Sequence, residues 1–468
     1  MNELTSETSV NIFFYHGLII FGELLVIIVF IHMLYNRRSP ASIIAWMLSM
    51  ILLPYLSALL YLIFGSRKRK NRYKKERIKL QKNHSVYNKK NYIYDVLKSY
   101  DSIQGTNNEL FNIYTDSTQS YEIFMRCIND AKHSIYISTY ILDYDKVSKK
   151  ILNALAKKAK EGLEVKILLD SLGSIFLYLF SYRLKSLKDS GVQIRFFMPI
   201  FEMPLRNYIN LRNHRKIYIF DNERVLSGGA NISQEYLGED EDKDRWEDIL
   251  FLIEGSSVEQ YFEIFASDWF YASSQRLNFN QKSKKRSPEA DIFVHVVPSG
   301  PDMQKDSLYE MLLLAIYGAK EKIYIITPYF IPNNALIQAL IIAHHKGVDI
   351  KLITPKETNH TIVNLVRSSY MRELEEAGIK IYLYNGSMLH AKAILFDSEC
   401  VVLGSVNFDN RSLFLNYEVA AFVYHDKVIR EISSWAQKLI ENSSLGTKEV
   451  SSLKRVFENL MRVLAPQL

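Results

Sequence analysis

Two stretches of the chain carry the same set of reactive side chains. In the first, Asn213-His214-Arg215-Lys216 opens a run that ends at Asp221, with Asn231 further on. In the second, His390 and Lys392 lead to Asp397, with Asn407 beyond. Both read H-x-K-x-x-x-x-D, and each Asn lies 17 residues after its His. One copy is suggestive only, because an exposed polar strand end explains it equally well. Two copies with matching Gly and Asn offsets point to chemistry.

Opening a phosphodiester needs a nucleophile, a proton donor for the departing alkoxide, and cationic or donor groups around the non-bridging oxygens. Two imidazoles, two ammonium groups and two amides supply all of these. An unperturbed pKa of about 6.5 lets one histidine attack as the neutral ring while another donates a proton. No carboxylate cluster able to hold two metal ions accompanies the motifs, so a two-metal mechanism is not required; the expectation is no metal and no cofactor.

Residues two apart on a strand share a face, so each His should stand beside its Lys, with four apolar residues carrying the strand on to Asp221 or Asp397 at a turn. The two aspartates count with the catalytic motif, although their position suits bracing the turn better than touching substrate. An imidazole also needs a partner on its second nitrogen to fix its tautomer. Asp248 and Glu418 occupy corresponding strand starts, and they are the candidates; a surface salt bridge is the alternative for either.

The elements that position these groups also occur twice. Ala131-Lys132-His133-Ser134-Ile135-Tyr136-Ile137-Ser138-Thr139-Tyr140 matches Ala319 to Tyr329, each a helix end running into a β-branched strand. Gly162 and Gly347 each stop a helix before a strand, 185 residues apart, and Gly191 and Gly378 do so 187 apart. So little drift indicates a duplication, and helix-glycine-strand units in succession predict α/β sandwiches with largely buried sheets. The polar, basic stretch 281–288 reads as a linker. The expected division is 1–66, a membrane hairpin; 67–108, a basic linker; 109–280, the first α/β domain; 281–288; and 289–468, the second.

A chain of 468 residues exceeds what one core usually organises, and 48% apolar residues argue against disorder. Cys127 and Cys400 lack metal-site spacing and read as buried small hydrophobes. The runs at about 12–34 and 41–64 are each long enough to span a hydrocarbon core of about 30 Å. A signal peptide competes for the first, but no Lys or Arg precedes it and a second run follows at once. We expect a retained hairpin turned at Asn36-Arg37-Arg38-Ser39-Pro40, while Pro54 also permits a second segment that dips without crossing.

The basic run 67–75 places the large domains in the cytoplasm by the positive-inside rule, although Arg37 and Arg38 pull the other way. It also suits anionic lipid head groups. The net charge of +7 is modest. Since the densest basic run lies beside the apolar segments and not in a groove interleaved with aromatics, no nucleic-acid partner is expected.

These paired motifs resemble the phospholipase D superfamily across essentially all of the portion after the apolar runs. Pro328-Tyr329-Phe330-Ile331-Pro332, Asn213-His214-Arg215-Lys216, Gly404 to Ser412, and Asn36 to Pro40 with Ala45-Trp46-Met47-Leu48 and Leu53-Pro54-Tyr55 are similar to bacterial cardiolipin synthases. The resemblance implies two phospholipase-D-like domains after a transmembrane hairpin in the cell membrane. It implies transfer of a phosphatidyl group from one phosphatidylglycerol to another through a phosphohistidine, with release of glycerol. By the same resemblance His214 or His390 attacks phosphorus, with His214 favoured, the other serves as acid and base, and Lys216, Lys392, Asn231 and Asn407 hold the phosphate. A phosphodiesterase or nuclease that hydrolyses is the alternative.

Overall fold

The computed structural model describes residues 2–36, 40–64, 78, 80, 87, 91–97, 103–201, 210–279, 290–303 and 305–467. The turn residues 37–39, the basic run 67–75 and the linker 281–288 lie outside the described residues. The chain divides into two units, Met1–Arg69 with Phe201–Asn210, and Lys70–Ile200 with Leu211–Leu468.

In the first unit an unbroken helix covers Asn2–Tyr35. Its stretch Phe14–Tyr35 is the one described helix long and apolar enough to cross a membrane. The second apolar run forms two shorter helices, Pro40–Leu52 and Pro54–Phe64. Pro54 has no N–H to continue the ladder, and its ring disfavours helical backbone at Leu53, so the helix stops there. A small core of Val29, Met33, Met50 and Tyr61 joins the segments, and His32 Nδ1 meets the Tyr61 hydroxyl at 2.7 Å. The outward faces carry exposed Phe14, Ile19, Phe21, Ile28, Ile31 and Leu48.

The second unit is built twice around one sheet. Its first half contains β1 (Gly105–Tyr114), β2 (Ser134–Thr139), β3 (Glu164–Asp170), β4 (Gln193–Phe197), β5 (Ile217–Phe220), β6 (Arg224–Gly228) and β7 (Leu250–Gly255). The second contains β8 (Ile292–Ser299), β9 (Lys322–Ile326), β10 (Phe330–Ile331), β11 (Asp349–Pro355), β12 (Lys380–Tyr384), β13 (Ala393–Phe396), β14 (Cys400–Gly404), β15 (Phe408–Asp409), β16 (Glu418–Val423) and β17 (Ser443–Leu445). Among the described residues 15 strands form one sheet, ordered β4-β3-β2-β5-β6-β7-β1 and then β8-β16-β14-β13-β9-β11-β12-β17. The second order reverses the first through their seven corresponding strands. This is the arrangement expected when two duplicated halves meet by their leading strands.

At that seam β1 runs antiparallel to β8, with Gly105 opposite His295. A Cβ at Gly105 would come 2.2 Å from the Phe293 ring, so a side chain there would force the strands apart. The sequence Gly105-Thr106-Asn107-Asn108 is polar and carries little strand signal, yet β1 includes it, ahead of residue 109 where the first α/β domain is expected to begin. Separate cores lie under the halves, one around Phe124, Ile137 and Leu169, the other around Ile325, Leu340 and Phe422. Cys127 and Cys400 are buried and unoxidised.

The matched helix stops have one physical cause. Gly162, Gly191, Gly347 and Gly378 sit at φ between 94° and 101°, where a side chain would be strained, and each turns its chain from a helix into the next strand.

Candidate active site

Each H-x-K segment stands immediately ahead of its strand, and the apolar quartets that follow are the strands β5 and β13. The carboxylates at their ends do not reach the histidines. Asp221 accepts from the backbone N–H groups of Lys132, His133 and Ser134 at 2.7–2.9 Å. Asp397 does the same for Lys320, Glu321 and Lys322 at 2.8–3.0 Å. Both occupy left-handed turns, at φ 56° and 51°, which Asp tolerates better than most residues. They tie β5 and β13 to the starts of β2 and β9.

The two halves exchange partners at the histidines. His214 N donates to Tyr417 O at 2.9 Å, and His390 N to Glu247 O at 2.7 Å, so each motif is stitched to the other half by its backbone. The adjacent carboxylates cross in the same way. Asp248 of the first half lies 2.6 Å from His390 Nδ1, and Glu418 of the second lies 3.1 Å from His214 Nδ1. Neither is a surface ion pair, for Asp248 is 6% and Glu418 0% exposed.

Burial alone would push both carboxyls up, but Lys392 with His390 outweighs it at Asp248, and His214 with Lys216 outweighs it at Glu418, so both are held below their usual range. An ionised carboxylate only accepts, hence each Nδ1 carries the proton and each Nε2 keeps its lone pair. Burial pushes His214 down, with Glu418 opposing and Lys216 reinforcing, and pushes His390 down to about 3, helped by Lys392. At neutral pH both rings are therefore neutral before substrate arrives.

Lys216 Nζ donates to His214 O at 3.0 Å, and Lys392 Nζ lies 3.0 Å from His390 Nε2. Burial pushes Lys216 down to about 7, with Glu418 opposing, and Lys392 to about 8, with Asp248 opposing. Asn231 Oδ1 accepts from Ile141 N at 3.2 Å. Asn407 Oδ1 is buried without a hydrogen-bond partner, an arrangement that costs about 1–3 kcal/mol unless a donor arrives. The site thus gathers two neutral imidazoles, two lysines whose charge is easily changed, and two amides.

Known families place this arrangement. A family described as cardiolipin synthase, PLD-like domain, matches residues 124–269 and 312–440, and phospholipase D-nuclease N-terminal matches residues 24–66. Cardiolipin synthase 1 of Bacillus cereus is 32% identical over 92% of this chain and 90% of its own length. Cardiolipin synthase of Clostridium perfringens is 32% identical over 92% of this chain and 95% of its own. The chain belongs to the cardiolipin synthase family.

Outside that family, phosphatidylserine synthase of Haemophilus influenzae shares the fold, with a TM-score of 0.61 at 15% identity over 81% of this chain and all of that one. In this cardiolipin synthase family member the two halves exchange carboxylates at their histidines. The halves are not equivalent there. Ser405 Oγ donates to Glu418 Oε2 at 2.5 Å and Asn416 Nδ2 to Glu418 Oε1 at 3.3 Å. The position corresponding to Ser405 is Gly229, where a Cβ would stand 2.2 Å from Asp248 Oδ1. The shorter Asp with a glycine replaces the longer Glu with a serine.

Aromatic rings that motif spacing did not single out wall the histidines. Tyr140 packs edge-on against His214 at 4.9 Å, and Tyr236 and Trp246 lie 5.0 and 5.3 Å from His390. Tyr140 has its duplicate in Tyr329, 6.4 Å from His390. The signal was present in the matched strand ends Ser138-Thr139-Tyr140 and Thr327-Pro328-Tyr329. Nothing local marks Tyr236 or Trp246.

Proposed function

We infer that this chain is a cardiolipin synthase, a phosphatidyltransferase that joins two phosphatidylglycerol molecules and releases glycerol. The observation that carries the reading is the exchanged pair of buried His–carboxylate couples, set in a chain that matches cardiolipin synthases over most of its length. In the proposed first step His214 Nε2 attacks phosphorus and the bond to the leaving glycerol oxygen breaks as His390 protonates it. His390, now neutral, then takes the proton from the hydroxyl of a second phosphatidylglycerol, whose oxygen attacks phosphorus and breaks the P–N bond. Protonation of His390 for the first step comes with the substrate, whose negative charge raises the pKa of the groups around it. Lys216, Lys392, Asn231 and Asn407 hold the non-bridging oxygens, with Asp248 and Glu418 orienting the rings.

The wider arrangement belongs to the same reading: a hairpin of two spans at about 12–34 and 41–64, catalytic halves at 109–280 and 289–468 on the cytoplasmic side, and anionic lipid beside the basic run 67–75. An enzyme anchored in this way meets its acceptor at high effective concentration, which favours alcoholysis over hydrolysis. The test is to incubate purified full-length protein with phosphatidylglycerol alone and identify the products. Equal amounts of cardiolipin and glycerol are expected; phosphatidic acid as the main product would replace transferase with hydrolase.

The lysines give a pH dependence. A lysine with a lowered pKa is charged only below it, so the empty site loses its cations as pH rises past about 7 at Lys216 and about 8 at Lys392. Bound phosphodiester stabilises the charged forms. Hence kcat/KM should fall above pH 7–8 while the fall in kcat lies at higher pH. Profiles of both constants in mixed micelles check this, and a kcat/KM that stays flat to about pH 9.5 would show that the lysines keep their charge.

A further inference from the structure

One side of the C-terminal helix Ser452–Met461 is held to the fold by polar contacts. Arg372 grips Glu458 through two bonds at 3.0 and 3.2 Å, and this carboxylate is 1% exposed. On the same side Asn459 meets Ser369 at 2.5 Å, Arg455 meets Glu376 at 3.1 Å, and Arg462 meets Glu373 at 2.5 Å while lying over the Tyr370 ring. These residues repeat at i, i+3, i+4 and i+7, which is one face of a helix.

The opposite face is apolar and open. Leu453, Val456, Phe457, Leu460 and Val463 are 81, 65, 49, 62 and 63% exposed. A surface helix of a globular protein normally buries such a stripe. Here it is exposed, and the nearby chain carries the exposed cations Lys448 and Lys454 together with one exposed acid, Glu449. An apolar stripe with lysines close by in the chain suits an anionic bilayer surface.

Its place in the fold supports the same occupant. Asn410 Nδ2 donates to Ala465 O at 3.3 Å, which fastens the segment after the helix to the short helix Asn410–Phe414, which follows Asn407 across β15. In the first half, the crossover leaving β3 begins at Asp170, which accepts from Asn213 N at 2.8 Å beside His214. That crossover also bares Phe176, Leu179 and Tyr182, at 43, 53 and 67% exposure, with Arg183 packed on the Phe176 and Tyr182 rings. Both halves therefore expose apolar and basic groups on elements that reach the site.

We propose that the helix Ser452–Met461 docks on an anionic lipid bilayer, with Leu453, Val456, Phe457, Leu460 and Val463 sunk into the head-group boundary, and so holds the active-site rim against the membrane. The choice of occupant rests on the phosphatidylglycerol reading. Docking itself is measured without turnover, so the two can fail separately.

The experiment uses full-length protein in vesicles of phosphatidylglycerol and phosphatidylcholine, with a nitroxide on Val456→Cys; the native cysteines are buried. The label should become accessible to oxygen and shielded from a water-soluble nickel complex, and less so in phosphatidylcholine alone. Free access of the nickel complex would overturn the proposal. So would spin–spin broadening that vanishes on dilution with unlabelled protein, because a second copy would then cover the stripe. As a second arm, the combined Leu453→Ser, Val456→Ser and Phe457→Ser variant should lose about tenfold in kcat/KM on vesicle lipid and nothing on dihexanoyl phosphatidylglycerol, the docked area being removed from the first only. Equal losses on both substrates would assign the helix to the fold instead.

Discussion

Replacing either His214 or His390 with alanine should lower kcat by about 10⁴- to 10⁶-fold, and replacing both should do little more, since residues that act as a unit lose their effect together. The geometry sets this expectation. Each ring is tied to a carboxylate of the other half, at 3.1 Å for His214 and 2.6 Å for His390, so neither half holds a complete catalytic couple. Removing an imidazole also strands a buried carboxylate, at a cost of about 1–3 kcal/mol in stability. His214→Asn and His390→Asn retain a donor toward Glu418 and Asp248, and comparing their kcat with that of the alanine variants separates chemistry from folding. Thermal melts with single-turnover assays make the measurement. Partial losses that multiply in the double variant would mean two independent sites.

The second large effect concerns what accumulates on the protein. If His214 attacks and glycerol must leave before the acceptor arrives, a phosphatidyl group resides on His214 Nε2 during turnover. Bonds from phosphorus to imidazole nitrogen are labile in acid and stable in alkali, which distinguishes them from phosphoserine. Rapid quenching with phosphorus-labelled phosphatidylglycerol, followed by peptide mapping at alkaline pH, should find the label on His214. His390→Asn should lower both the rate at which label appears and the rate at which it departs, since His390 protonates the leaving oxygen and later deprotonates the acceptor. Label on His390 would reverse the two roles. No label during active turnover would remove the two-step pathway.

Much of this was readable along the chain because it depends on local order. The H-x-K spacing, the helix-stopping glycines and the apolar quartets before Asp221 and Asp397 each lie within a few residues, and duplication confirms one copy by the other. What lacked a local signal was harder to find. The polar start of β1 earns its strand only by pairing with β8, and Tyr236 and Trp246 reach His390 from a loop whose path depends on the whole half. Across 41–64, hydropathy is continuous and reads as one span, yet Pro54 divides it into two helices because a missing N–H and a ring clash act on the backbone whatever the side-chain polarity.

The sequence by itself determined which reactive side chains recur in two matched sets, and which family the chain belongs to, because residue type and spacing within a half are properties of the chain. Only the tertiary structure decided how the sets are joined. Glu418 stands 204 positions from His214, and Asp248 stands 142 from His390, too far for any periodicity to pair them. Tertiary structure also decided which face of the helix Ser452–Met461 turns outward. Amphipathic spacing gives two faces, and it is the ion pair from Arg372, on another helix, that draws Glu458 in and leaves the apolar stripe outside.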